Sequence, residues 1–426
     1  MASEKNTTSV EPVLAMGAGQ LSEAIARNHT AHDQRDMKRM GKQQEFMRSF
    51  RMVTSIAFTS CVMGTWEILL TSNTSALIAG GLAGLWWQFV WCYVGQTFVV
   101  LSLSEMASMA PTAGGQYHWV SEFAPKSSQK ALSYASGWLS TLAWQAFVAV
   151  DSYICAAFIQ ALITLNNPDY TPQRWQTTLL MIAVLAFMGA FNVFLAKWLA
   201  LIEGFFAVLH FVAWVPVIIV LWTMTPVKQP AKTVFTDFSD NGAGWSNLGL
   251  TVCIGQVGAM FTVVGSDASA HMAEEIRDAG VVVPRSMWFA YLANIPPTII
   301  ILATYVFCIG DLETTLSAST GFPVISVFEQ STRSKAGATG LTILMLLLLL
   351  IISTSCMAST VRQTFAFARD NGPVGVDPTP TTMNWAVLIF GGVMIIAAVA
   401  FVIHAKDTYA GPVSTVEKLD DDSIVQ

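Results

Sequence analysis

Five ionisable side chains stand inside otherwise apolar stretches of this 426-residue sequence: Glu67, Asp151, Glu203, His210 and Asp267. In hydrocarbon each costs a few kcal/mol or more, so such groups face a cavity or a partner. Glu67 follows Met63, Gly64, Thr65 and Trp66 in "SCVMGTWEILL", and Asp267 follows Gly265 and Ser266 in "FTVVGSDASAHMAEE". Glycine and hydroxyl residues loosen a helix beside a carboxylate in both places. At a break, the freed N–H groups of one half-helix attract a carboxylate, and the freed carbonyls of the other accept an ammonium or a cation. Amine or zwitterion binding suits that chemistry. Glu67, Asp151 and Asp267 are the candidates for proton or ion coupling, and Trp66 and Phe261 are placed to close over a ligand. Each also fits a packing role, with the carboxylate bonded to a neighbouring helix and the aromatic ring filling space. Glu203 and His210, seven apart, share one helix face and read as a structural pair, with a proton relay as the sharper alternative.

The elements that must position these groups follow from composition. Hydrophobic residues make up 53% of the chain and charged residues 12%, about half the charge of a soluble domain. Mean hydropathy is +0.52. Nine apolar runs approach the ~20 residues that a membrane-crossing helix needs: 52–71, 76–103, 131–164, 177–196, 198–222, 248–273, 286–310, 338–361 and 382–405. Stretches such as "GLTILMLLLLLIISTSCMAST" have no polar face to turn to water, which excludes amphipathic surface helices. The expected fold is an all-α polytopic membrane protein. The first 50 residues lack the short apolar segment of a secretory signal. Six scattered cysteines form no C-x-x-C pair and read as small buried hydrophobes. A net charge of -6 points away from nucleic acid, and no phosphate-binding loop, Ser-Lys, paired-Asp or H-E-x-x-H arrangement suggests ATP hydrolysis or an enzyme. No cofactor or metal is implied.

The first and sixth runs are five apart, an odd number, so their loosened segments enter the membrane from opposite sides. Paired broken helices of inverted topology are the sequence pointer to a transporter site near the midplane. An N-terminus inside places 15 of the 22 lysines and arginines on the cytoplasmic side, the orientation that positive charge favours. The expected organisation is a mostly disordered cytoplasmic tail over 1–50 and a membrane domain over 51–405, followed by a tail over 406–426. Within the membrane domain, a first repeat covers about 52–222, an incomplete second about 248–361, and a final span 382–405. "RDMKRMGKQQEFMRSFRM" reads as a short basic amphipathic helix on the inner leaflet. Tyr117 and Trp119 are expected to hold a short interfacial helix in the loop after the second run.

Four segments carry a family resemblance: "SCVMGTWEILL", "SEMASMAPTAGGQYHWVSEFAP", "GSDASAHMAEEIRDAGVVVPRSM" and "RQTFAFARDNG". The chain resembles the fungal amino acid/choline (GABA-type) permeases of the amino acid-polyamine-organocation superfamily, from about Arg39 to Gly372 and again from about Met383. The resemblance implies a five-plus-five inverted-repeat fold. It further implies proton-coupled secondary uptake of amino acids, 4-aminobutyrate, choline or a similar amine by alternating access, at the plasma membrane. Its substrate-binding breaks map to Met63, Gly64, Thr65, Trp66 and Glu67, and to Gly265, Ser266 and Asp267. Glu274 and Glu275 match the segment that ends the sixth helix, as gating or capping groups with Arg277 or Arg285. The chain departs from the family in one place. Such permeases look like twelve-span proteins, yet "PVGVDPTPTT" leads straight to a segment resembling the last span. Ten or so residues cannot recross ~30 Å at 1.5 Å each. About three late spans are therefore missing, and impaired transport is expected. The alternative is a non-transporting ligand-binding sensor derived from a permease.

Overall fold

The computed structural model describes residues 30–40 and 44–370. The ninth run, 382–405, lies outside the described residues, as do the C-terminal tail and the N-terminal tail before residue 30.

Among the described residues, seven helices are long and apolar enough to cross a membrane. The first is interrupted at Gly64 into α2 (Met52–Met63) and α3 (Thr65–Ser72), after a short α1 (Ala31–Arg39). Then come α4 (Gly81–Met109), a short α5 (Gln116–Phe123), α6 (Gln129–Asn166), α7 (Arg174–Phe194) and α8 (Leu199–Met224). The run expected over 248–273 is not one rod. It divides into α9 (Leu248–Gly255), α10 (Val257–Phe261), a non-helical stretch and α11 (Ala268–His271). The long α12 (Ala279–Cys308), a short α13 (Pro323–Thr332) and α14 (Lys335–Arg369) complete the bundle. Pro216 in α8 and Pro284, Pro296 and Pro297 in α12 lie inside helices, which neighbouring helices make tolerable at membrane depth.

Burial orders these elements. The broken first span is the core, with Phe58, Val62, Trp66 and Ile68 fully enclosed, and α8, α12 and α14 pack around it. The α4 and α8 helices turn Trp91, Phe98, Leu201 and Phe205 outward, the apolar surface a lipid-facing helix presents. Tyr117 and Trp119 of α5 are buried against protein, the indole of Trp119 donating to Ala110 O at 2.8 Å.

The segment before the first span differs from the expected leaflet helix. Its helix is Ala31–Arg39, capped by Thr30, and residues 44–50 are not helical. The buried Asp33 accepts from the backbone N–H groups of Asp278 and Ala279 at 3.1 Å each, at the start of α12. Arg48 pairs with Asp33 at 3.2 Å and donates to Ala273 O at 3.1 Å and to Ile276 O. Burial disfavours the Asp33 charge, but Arg48, the two N–H groups and the Thr30 hydroxyl outweigh it and hold its carboxyl below the usual value. Phe50 forms a one-rung parallel bridge with Ile276. Docking on protein satisfies charges that the leaflet reading gave to lipid headgroups.

Candidate binding site at two helix breaks

Gly64 adopts φ +43° and ψ 39°, a left-handed conformation that ends α2 and begins α3. A Cβ there would sit 2.2 Å from Ile352 Cδ1, so glycine is required by space as well as by backbone angle. Gly265, at φ +90°, lies in the non-helical stretch between α10 and α11. The two breaks touch. A Cβ built on Gly265 would lie 3.4 Å from Val62 Cγ1 and 3.7 Å from Met63 Cα. The α14 helix faces both, with Cys356 Sγ directed at Val62 O and Ser359 Oγ at Ala268 O, 3.5 Å away.

A cavity of about 460 Å³ opens beside the second break. Phe261, Gly265, Ser266 and Asp267 line it together with Trp144 and Phe147 of α6. The rings of Trp144, Phe147 and Phe261 form an edge-to-face chain, with centroids 5.9 and 5.3 Å apart. One oxygen of Asp267, Oδ2, accepts from Gln116 Nε2 and faces His271 Nε2 at 3.4 Å. His271 Nδ1 meets Ala113 O at 3.0 Å. A carbonyl only accepts, so Nδ1 carries the hydrogen. Gly115, at φ +53°, gives the imidazole room, since a Cβ there would lie 3.0 Å from Cε1. Aromatic faces and a carboxylate in one cavity are the chemistry that receives an ammonium.

The structure does not bring all the expected residues to this cavity. Met63, Gly64, Thr65 and Trp66 form the other break and are buried in the core. The indole of Trp66 donates to His210 O at 3.2 Å. Glu67 points to His210 of α8, with Oε1 2.7 Å from Nδ1. Asp151 is buried and meets Cys356 of α14. Glu203 and His210 do not pair with each other: Glu203 Oε1 accepts from Ser355 at 2.7 Å.

The gating carboxylates also find partners other than those expected. Arg369 binds Glu274 through two nitrogens at 2.8 and 2.6 Å, and Arg362 binds Glu275 at 2.7 Å. Both cations come from the end of α14, not from Arg277 or Arg285. Arg277 instead borders a small cleft with Arg51 and Asp278, and its backbone N–H donates to Phe50 O at 3.0 Å. Sequence reasoning missed Gln116, His271 and Asn294. Of these only His271 left a local signal, four residues and one helical turn after Asp267.

An all-α polytopic bundle with two touching helix breaks defines a class of membrane protein that holds small polar molecules within the bilayer. Residues 50–410 match the amino acid permease family model, and the chain belongs to that family, whose members are transporters rather than enzymes. Among its relatives is a protein of Macrophomina phaseolina named as an amino acid/polyamine transporter, 32% identical over 74% of this chain and 70% of its own length. An amino-acid permease of Schizosaccharomyces pombe is 27% identical over 80% of this chain and 65% of its own length. The choline transporter of Saccharomyces cerevisiae is 24% identical over 76% of this chain and 58% of its own length. The chain thus spans roughly two thirds of these relatives.

Proposed function

We propose that this chain binds an amino acid or small amine in the cavity beside its second helix break and carries it across a membrane in exchange for the free energy of a proton gradient. The observation that carries the reading is the contact of the Gly64 and Gly265 breaks beside a cavity that offers Asp267 and three aromatic rings. In this reading Asp267 and the ring chain receive the ammonium, and Ser266 with the backbone at Gly265 meets the polar remainder. Met63, Gly64, Thr65 and Trp66 back the second break from the core side, Glu67 and Asp151 stand as proton groups, and Glu274 and Glu275 tie the far end of the broken sixth span to α14. Arg277 closes the same end from the other side. The N-terminus is cytoplasmic and the membrane is the plasma membrane.

Reconstitution into proteoliposomes with an imposed pH difference tests it. Labelled choline, 4-aminobutyrate and amino acids are offered in turn, and saturable accumulation that a protonophore abolishes is expected for at least one. Asp267→Asn should reduce that accumulation about tenfold or more, the scale of one lost charge-assisted contact. Binding without accumulation would replace this reading with a ligand sensor, and undiminished uptake by Asp267→Asn would remove Asp267 from the site.

A further inference from the structure

Glu67, His210 and Asn294 belong to three helices, α3, α8 and α12, and all three are buried, with relative exposures of 1%, 1% and 0%. His210 Nδ1 lies 2.7 Å from Glu67 Oε1, and Nε2 lies 3.0 Å from Asn294 Oδ1. Asn294 Nδ2 donates to Ala290 O at 2.9 Å, one turn earlier in α12. That contact fixes the amide, because the flipped form would set oxygen against oxygen. Asn294 Oδ1 can only accept, so the hydrogen of His210 is on Nε2. A neutral imidazole then turns a bare Nδ1 toward Glu67, and two lone pairs at 2.7 Å repel. One more proton on the Nδ1 to Oε1 line removes the repulsion, whether it is drawn as imidazolium with carboxylate or as imidazole with carboxylic acid.

We propose that Glu67 and His210 together are a proton-binding site, with Asn294 the positioning residue that decides which imidazole nitrogen faces Glu67. The other ionisable groups on the surrounding elements have different partners. Glu203, two turns away on α8, bonds Ser355 and Cys61. Tyr291, one turn from Asn294 on α12, donates to Tyr93 O of α4. Cys356 of α14 meets Asp151. The second oxygen of Glu67, Oε2, is buried and has no hydrogen-bond partner among the described residues. Asp267 and His271 follow similar donor logic, but Asp267 lines the cavity and the pair belongs to the site already described. Glu67 follows the break directly, so a change of angle at Gly64 that draws it from His210 takes away the second basic atom and frees the proton. The use of that proton for coupling rests on the transport reading above; its presence does not.

The purified full chain in lipid nanodiscs, labelled with nitrogen-15 histidine, tests the site, with His210→Gln identifying the signals of His210. At neutral pH the wild type is expected to show Nε2–H together with a proton shared between Nδ1 and Glu67. Asn294→Leu should lose the Nε2–H signal and give a neutral imidazole protonated on Nδ1, while Asn294→Asp, which keeps an acceptor, should retain it. A wild type with bare Nε2 overturns the proposal, as does an Asn294→Leu spectrum identical to wild type. If Asn294→Leu does not fold, the wild-type and Asn294→Asp spectra still decide. The expected spectra in a protein that fails to accumulate any amine would support the proton site and count against transport.

Discussion

At Gly64 one residue carries two demands, a left-handed backbone and an absence of side chain. A left-handed conformation costs an ordinary residue about 1–2 kcal/mol, and the Ile352 methyl must move to admit a Cβ. Gly64→Ala is expected to destabilise the protein by about 1–3 kcal/mol, read as a lowered Tm in detergent. Gly204→Ala is the control, because it lies within α8 and, apart from its chain neighbours and the backbone of its own helical turns, none of the described residues comes within 4 Å of its Cβ position, and its Tm should be unchanged or slightly higher. Equal Tm values for the two variants would remove the argument for Gly64. The sequence made this glycine legible because it stands between an apolar run and a buried carboxylate. The partner of that carboxylate was not legible. His210 is 143 residues from Glu67, and its spacing to Glu203 suggested a pair on one helix face. A face is shared by everything at that angle, and only the packing of α3 and α12 against α8 decides which neighbour each group meets.

At the scale of elements, the most informative departure is α1. A basic segment beside a first span reads as lipid-bound by composition alone, whereas Asp33 and Arg48 bind the backbone at the start of α12 and the end of the sixth span. Carbonyl and N–H partners have no signature in a sequence, which is why this docking could not be read there. The depressed carboxyl of Asp33 sets the sign of a pH effect. The stabilisation is fully present above the ordinary value of 3.8 and is lost as pH falls through the lower folded value. Hydrogen exchange at the amides of Asp278 and Ala279 should therefore stay slow from neutral pH down to about that value. Asp33→Asn should speed it about tenfold at neutral pH, the scale of a lost charge-assisted bond. Exchange that is unaffected by Asp33→Asn would show that the segment is held by other contacts. The interruption of the sixth span, by contrast, was readable from Gly265 and Ser266 beside Asp267, since small and hydroxyl residues release a helix where a charge must be met.

At the scale of the whole molecule, eight of the nine apolar runs correspond to spans or to the broken sixth span among the described residues, and the ninth lies outside them. Periodicity and length sufficed for that because hydrocarbon admits few alternatives to a helix. The family resemblance implies that late spans of the second repeat are missing, and on that reading uptake per molecule by this chain falls well below that of a twelve-span family member assayed in the same vesicles. Equal rates would overturn that reading.

The single peptide rung between Phe50 and Ile276 joins the stem of the first span to the foot of the sixth. Two levers riveted at one end cannot swing independently. Phe50 gives its N–H to Glu275 O and takes that of Arg277 on its own carbonyl, 3.0 Å each, so a displacement of either strand of chain is handed to the other through two shared hydrogen bonds.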